Sequence, residues 1–175
     1  MKKKITKKVS KKQEPLEYRM YGLVNYQFSS SIHAGIQFGH AVVEYSNDHF
    51  KDKDYQKWAK EDKTFIILNG GTTNLDKKSK HYGTLNQHRD TLKEMGIKFA
   101  EFHEPDLGNQ LTAVVFLVDN RVFDRKNYPL FEEFLIDDTL ENHKHYSNDY
   151  KGYEKFVGGK QNAFLKEFLS KFKLA

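Results

Sequence analysis

The chain has 175 residues, no cysteine, and 29 lysines and arginines against 24 acidic residues. That length suits one domain with a continuous core, and the lack of cysteine excludes disulfides, thiolate chemistry and cysteine-based metal sites. No run of about 18 apolar residues is present that would predict a membrane span, and no apolar stretch typical of an export signal follows the first lysines. We therefore expect a cytoplasmic protein that does not bind membranes.

The positive charge is concentrated at the N-terminus. The formal net charge is +5, and subtracting the seven lysines of the first twelve residues leaves −2 for the remainder. We predict that residues 1–17 form a disordered basic tail, because a lysine block without apolar residues cannot join a core. Such a tail serves either solubility or salt-sensitive attraction to polyanions.

The first strand and helix are predicted at residues 19–28 and 32–46. Residues 19–28 alternate and are rich in Tyr, Leu and Val, and serines 29–31 are good N-cap residues. An apolar helix face, expected to pack closely on a sheet, contains Ile32, Gly35, Ile36, Gly39 and Val43. The opposite face contains His33, Gln37, His40 and Glu44, and such a polar stripe is most often solvated.

The next elements are predicted from short apolar runs and their boundaries. We expect a weak helix over 55–60, a buried strand over 64–68 that ends at the polar segment 69–74, and a helix over 84–95. Thr84 and Gln87 have capping-box spacing, and Gly96 is placed to end that helix. Strands follow at 97–102 and 111–118, the second continuously apolar and hence central, with a polar loop over 103–110 between them.

This order predicts an α/β fold: a mixed four-stranded sheet flanked by helices, with right-handed crossovers. The core domain covers residues 18–119, followed by an irregular insertion over 120–160 with one short helix near 128–135. Residues 161–175 are predicted to form a C-terminal helix that packs on the core through Phe164, Leu165, Phe168, Leu169 and Phe172.

The segment Gly35-Ile36-Gln37-Phe38-Gly39-His40-Ala41, on a helix after a strand and a polar turn, resembles the signature of type 2 peptidyl-tRNA hydrolases. The Gln-x-x-His-Ala part is retained as Gln37, His40 and Ala41. The resemblance covers about residues 19–119, and it extends to phage-encoded proteins of the same fold. It implies a type 2 peptidyl-tRNA hydrolase-like fold, tRNA as a partner, and a site at the N-terminus of the first helix, facing the loop after the third strand.

The chain departs from the family in the residues that carry its activity. Where the family has basic residues at the start of the first helix, including a lysine that contacts tRNA, this chain has Ser31, Ile32 and His33. The family's Asp followed by an Arg-Thr-Gln run is replaced by a shorter loop with Glu104, Asp106 and Asn109. The resemblance therefore predicts where the site lies and leaves the catalytic groups open.

The residues themselves allow a hydrolytic site at that position. A helix N-terminus favours anions, His33 could act as a general base near neutral pH, and Glu104 or Asp106 could orient it or activate water. We predict further substrate contacts from Ser30, Ser31, Gln37, His40, Asn69 and Asn109. His40, in mid-helix, has the alternative interpretation of a buried hydrogen-bonding anchor.

Two further motifs could be binding sites, but for each we favour an interpretation without a ligand. The segment Asn69-Gly70-Gly71-Thr72 could form an anion-binding nest, but its spacing matches no phosphate loop and favours a glycine turn. His143 and His145 have metal-like spacing without a carboxylate partner, which favours a solvated loop. We expect neither a metal nor a cofactor.

Three functions remain open from the sequence. The chain could hydrolyse an ester on tRNA, or it could be a phage protein that binds or cleaves a small nucleotide such as a host defence signal, working in the host cytoplasm. It could also be a non-catalytic RNA-binding or interaction module. The expected partner is tRNA or a small nucleotide, and a homodimer is left open.

Overall fold

The computed structural model describes residues 15–27, 30–78, 80–136 and 145–173. Its centre is a four-stranded mixed sheet made of β1 (Tyr18–Asn25), β2 (Thr64–Gly71), β3 (Phe99–Glu104) and β4 (Gln110–Asp119). The strand order is β2-β1-β4-β3, with β1 parallel to β2 and antiparallel to β4, and β3 antiparallel to β4. The predicted α/β class and mixed four-stranded sheet flanked by helices are confirmed.

Strand β4 lies inside the sheet, as its continuous apolar sequence predicts. Every residue from Leu111 to Phe116 is buried. Helices cover both faces of the sheet, so side chains on either face of β4 are shielded from solvent. Strand β2 is longer than predicted. It continues through Asn69 and Gly70 to Gly71, beyond the expected end at residue 68.

Helices cover both faces of the sheet. They are α1 (Ser31–His49), α2 (Lys53–Lys57), a π-helical turn (Trp58–Asp62), α3 (Thr84–Glu94), a 3-10 turn (Pro105–Leu107), α4 (Asn120–Phe123), α5 (Phe131–Ile136), α6 (Tyr150–Phe156) and α7 (Lys160–Leu169). Alternating side chains of β1 and β4 point to two separate clusters. One contains Phe38, Ala41 and Tyr45 of α1, and the other contains residues of α3 and α7.

Helix α1 packs on the sheet through a different face from the one predicted. Phe38, Ala41 and Tyr45 are buried, whereas Ile32 is 73% and Val43 57% exposed. A side chain at Gly22 of β1 would overlap the Phe38 ring, so this glycine admits the helix. Gly35 and Gly39 of α1 have open space beside them and give no close approach to the sheet.

The predicted capping side chains are not used at the starts of α1 and α3. Ser30 is the N-cap residue of α1, but its side chain makes no capping hydrogen bond. Gly83 is the N-cap residue of α3, so the Thr84–Gln87 capping box is wrong. Thr84 Oγ1 instead accepts from the Thr72 N–H over 3.0 Å. Gly96, with φ of 66°, follows the end of α3 as predicted.

The region over 120–160 contains more regular structure than one short helix. Besides α5, which overlaps the predicted helix near 128–135, it contains α4 and α6, and its aromatic residues form a third cluster around Phe134, Tyr153 and Phe156. Leu165 and Phe168 of α7 pack into the core, as expected, but this helix ends at Leu169 and is shorter than the predicted range of 161–175.

Part of the predicted N-terminal tail belongs to the folded domain. Leu16 packs against the cluster on the α1 side of the sheet, and the Glu17 carbonyl accepts from the Asn120 N–H over 2.9 Å. Residues 1–14, Ser29 and His143 lie outside the described residues. Within the described ranges, no helix is both long and apolar enough to cross a bilayer.

Candidate functional site

The polar residues singled out by the sequence gather at one edge of the sheet. Strands β1, β2 and β3 run in the same direction, since β3 and β1 are both antiparallel to β4. Their C-terminal ends therefore meet at the edge where β4 begins and α1 follows β1. Ligands of open α/β sheets bind outside the carboxyl ends of the strands. We refer to this place as the carboxyl edge.

A hydrogen-bonded chain of three side chains joins α1 to the last two strands at the carboxyl edge. Thr112 Oγ1 donates to Gln37 Oε1 over 2.6 Å, and Gln37 Nε2 donates to Glu104 Oε2 over 2.6 Å. Gln37 and Thr112 are 6% and 1% exposed, whereas Glu104 is half-buried. These two hydrogen bonds fix the half-buried carboxylate of Glu104 to the buried side chains of Gln37 and Thr112.

The direction of these hydrogen bonds follows from the donor inventory of each group. A carboxylate only accepts, so the Gln37 group nearest Glu104 is its NH₂, and its carbonyl oxygen then faces Thr112. The Thr112 hydroxyl has one hydrogen, and the shorter contact to Gln37 is preferred to the Phe102 carbonyl at 3.2 Å. Because Gln37 and Thr112 are buried, breaking either hydrogen bond would leave a buried polar group without a partner and lower the stability of the fold.

A second polar chain ties the loop after β2 to the same edge. Asn25, 3% exposed, donates through Nδ2 to Thr73 Oγ1 over 2.8 Å, and the Thr73 hydroxyl donates to the Leu111 carbonyl over 2.6 Å. The sequence analysis missed Asn25 and Thr73. The available signal was an asparagine at the end of an otherwise apolar strand, which is a polar group that burial requires to be hydrogen-bonded.

The N-terminus of α1 opens on the carboxyl edge without a side-chain cap. The Ala34 N–H makes the first helical bond, to the Ser30 carbonyl over 3.0 Å. Ser31 and His33 are exposed, and Ser30 is half-buried. Among the described residues, no hydrogen bond or ion pair joins His33 to Glu104 or Asp106. The structure thus joins Gln37 to Glu104, whereas His33 is exposed on α1, one turn before Gln37.

His40 is exposed, and its interpretation as a buried anchor is wrong. Its ring stacks on Phe102 of β3, with centroids 4.5 Å apart and an interplanar angle of 20°. Gln37, one turn earlier on the same helix, is the buried anchor instead. The pair of His40 and Phe102 forms a flat aromatic surface next to Glu104 on the strand.

The loop after β3 is a tight turn that exposes two predicted site residues. Asp106 lies in the 3-10 turn and is exposed, and Asn109 is exposed with φ of 60°. His103 was not predicted as a site residue. Its ring lies 3.1 Å from the Asn109 carbonyl and 3.3 Å from a Glu101 carboxylate oxygen, on the face of β3 away from α1.

Asn69 lies away from the Gln37–Glu104 pair. Its Oδ1 accepts from the Gly71 N–H over 2.9 Å, and the residue lines a cavity of about 560 Å³ between α3 and α7, together with His88 and Phe168. The Gly71 and Thr72 N–H groups are both used in internal hydrogen bonds. Neither N–H is left for an anion, and the predicted glycine turn is wrong as well, because Asn69, Gly70 and Gly71 continue β2.

The loop between β2 and α3 contains exposed lysines. Lys77, Lys78 and Lys80 are exposed, and only Lys77 has an ion pair among the described residues, with Asp90 at 3.1 Å. The sequence analysis did not single out this basic loop, although Lys77-Lys78-Ser79-Lys80-His81 is visible in the sequence as a basic run.

The described residues contain no group of three or more His, Asp or Glu side chains that could hold a metal ion. Comparison with known proteins gives no family: no protein-family model and no curated protein matches the chain. The function is therefore argued from the geometry at the carboxyl edge.

Proposed function

We propose that this chain is a hydrolase of the type 2 peptidyl-tRNA hydrolase fold that cleaves an ester at the acceptor end of tRNA. The observation that carries the proposal is the carboxylate of Glu104, which the buried residues Gln37 and Thr112 hold on the α1 side of the sheet. The N-terminus of the same helix has no side-chain cap. A fixed carboxylate can activate water, and a helix N-terminus can stabilise a developing oxyanion.

In the proposed reaction, Glu104 takes a proton from a water molecule as its oxygen attacks the ester carbonyl carbon. The carbonyl oxygen becomes an oxyanion, which the N–H groups at the start of α1 stabilise. Collapse of the tetrahedral species breaks the bond to the ribose oxygen, which leaves with a proton. Gln37 acts as a positioning residue for Glu104, and in this proposal His33, an exposed imidazole on α1, supplies the proton to the leaving group.

Binding of the nucleic acid is assigned to groups outside the Gln37–Glu104 pair. Lys78 and Lys80, with the lysines of residues 1–14, supply phosphate contacts in place of the family's missing lysine. The stacked rings of His40 and Phe102 offer an aromatic surface for an unpaired base. The exposed residues Asp106 and Asn109 are assigned contacts with the acceptor end.

Binding of a small nucleotide is the second candidate. The observation that favours it is charge: Glu104 is bonded to Gln37, which is bonded to Thr112, and none of the described side-chain contacts of Glu104 is with a lysine or arginine. A short ligand held by stacking and hydrogen bonds needs fewer cations than a tRNA backbone.

A substrate panel tests these candidates. Purified chain would be incubated with N-acetyl-phenylalanyl-tRNA and with mono-, di- and cyclic nucleotides, and the products separated by chromatography and mass spectrometry. We expect release of N-acetyl-phenylalanine and intact tRNA. Cleavage of a nucleotide alone would establish the second candidate, and RNA binding without any product would establish a non-catalytic module.

A further inference from the structure

A lysine is buried on the side of the sheet opposite α1, outside the carboxyl-edge site. Lys166 of α7 is 2% exposed, and its Nζ donates to the Val122 carbonyl over 2.9 Å. Burying an ammonium group is costly unless a carboxylate pairs with it. Within the described part of the chain, Lys166 has no carboxylate within salt-bridge distance.

The surroundings of Lys166 favour its neutral amine. Burial, reinforced by the nearby Arg125 guanidinium, lowers the pKa of Lys166 to about 8, against a weaker opposing effect of Asp124 and other carboxylates. At pH 8 about half of such a group is free amine, compared with less than about 1% of an ordinary exposed lysine. Desolvation in an apolar environment is one of the ways in which proteins activate a lysine nucleophile.

Lys166 is one of the residues that line a cavity. The cavity has a volume of about 360 Å³, and its lining includes Tyr21, Ile66, Leu68 and Leu130, with Arg125 as a second cation. The Arg125 side chain is 54% exposed and forms an ion pair with Glu133 at 3.0 Å. The volume is at the small end of the range of about 300–1,000 Å³ for ligand sites, and the mixture of apolar walls with a few polar groups is typical of them.

We propose that Lys166 is a covalent binding site for an apolar aldehyde or ketone that carries a carboxylate. The Nζ lone pair attacks the carbonyl carbon, and the C=O π electrons move to oxygen. A proton moves from nitrogen to that oxygen to give a carbinolamine. The hydroxyl then takes a proton from solvent and leaves as water, and a C=N bond forms. Arg125 binds the carboxylate, and the apolar walls hold the rest of the molecule.

Each group in the cavity has a separate part in this assignment. Burial of Lys166 keeps its amine neutral. Ile66, Leu68 and Leu130 favour a ligand with an apolar body, and Arg125 favours a ligand with a negative charge. The proposal is independent of ester hydrolysis, because none of these residues lies at the carboxyl edge.

Reductive trapping tests the proposal. The full chain would be treated at pH 8 with 4-carboxybenzaldehyde and sodium cyanoborohydride, and the modified lysines mapped by peptide mass spectrometry against time. Lys160, exposed at the start of the same helix, is the internal control. We expect modification at Lys166 at least about tenfold faster than at Lys160, from the difference in free amine.

Three variants and one comparison compound refine the result. Arg125→Gln is expected to slow trapping of 4-carboxybenzaldehyde at Lys166 more than trapping of benzaldehyde, because both compounds lose the effect of the guanidinium on the Lys166 pKa and only the first loses its carboxylate contact. Lys166→Met should lose the fast phase, whereas Lys160→Met should keep it. Labelling at Lys166 that is no faster than at the exposed lysines of the wild-type chain would overturn the proposal, and that measurement does not depend on the folding of any variant.

Discussion

The side-chain amide of Gln37 donates to the carboxylate of Glu104 over 2.6 Å, between residues 67 positions apart in sequence. This hydrogen bond links the first helix to the third strand at the edge where three parallel strands end. Because Thr112 holds the other end of the same amide, the position of Glu104 depends on two buried residues that the substrate need not touch.

Breaking the hydrogen bonds among Thr112, Gln37 and Glu104 is expected to lower stability, and the effects of substitutions at Gln37 and Thr112 are expected to be coupled. Gln37→Leu and Thr112→Val should each reduce the free energy of unfolding by about 1–3 kcal/mol, because each leaves a buried polar group without its partner. The double variant should lose less than the two single losses added together, since both act on one hydrogen bond. Urea unfolding of the wild-type chain, the two single variants and the double variant measures these free energies. Gln56→Leu, at an exposed glutamine, is the control. Additive losses would show that the two residues are not coupled.

His40→Ala is expected to cost little stability. The imidazole is exposed and its only described contact of note is the stack on Phe102, so we predict a loss of less than about 1 kcal/mol. Thermal unfolding of His40→Ala and of Gln37→Leu compares the stability that each variant loses. A larger loss for His40→Ala than for Gln37→Leu would mean that His40, and not Gln37, anchors the helix.

The faces of α1 show where sequence patterns reach their limit. Two apolar stripes share this helix, one with Ile32, Ile36 and Val43 and the other with Phe38, Ala41 and Tyr45. Periodicity alone does not distinguish them. The choice is made by Gly22, a residue of another element whose missing side chain admits the Phe38 ring. The polar stripe then turns toward β3, so that Gln37 is buried and His40 remains exposed.

Other parts of the fold were predictable because their signals are local. The apolar run of β4, the glycine after α3 and the aromatic spacing of α7 all correspond to the elements observed. Helices α4 and α6 were missed because they have four and seven residues, too few for a helical period to emerge. At the site, Glu104 and Gln37 were both named from sequence, but their hydrogen bond depends on strand pairing and helix docking that no local pattern contains.

The stability contributed by residue 166 should depend on pH. The folded-state pKa of Lys166 is about 8, below the unfolded value of about 10.4. Between these values the unfolded chain binds more protons, so stability rises with pH across this window. Relative to Lys166→Met, the wild-type chain should gain about 2 kcal/mol between pH 8 and pH 10, with little change in the difference below pH 7. Urea unfolding at each pH measures it, and a flat difference would contradict the depressed pKa.

Deleting residues 1–14 should weaken RNA binding without altering the fold. The segment contributes seven lysines, and each phosphate contact it makes adds to the salt dependence of binding. The truncated protein should unfold at nearly the same temperature as the full chain, and its plot of log affinity against log salt should be less steep. An unchanged slope would show that the lysines do not contact RNA.

Replacing Glu104 tests the proposed hydrolysis most directly. The measurement is the single-turnover rate of N-acetyl-phenylalanyl-tRNA hydrolysis by the wild-type chain and by Glu104→Gln, with Glu94→Gln at an exposed position of α3 as the matched control. Because Glu104 removes the proton from water in the proposed reaction, its replacement should slow hydrolysis about 10²–10⁴-fold, while Glu94→Gln keeps the wild-type rate and both variants stay folded. Hydrolysis by a folded Glu104→Gln protein at the wild-type rate would contradict the assignment.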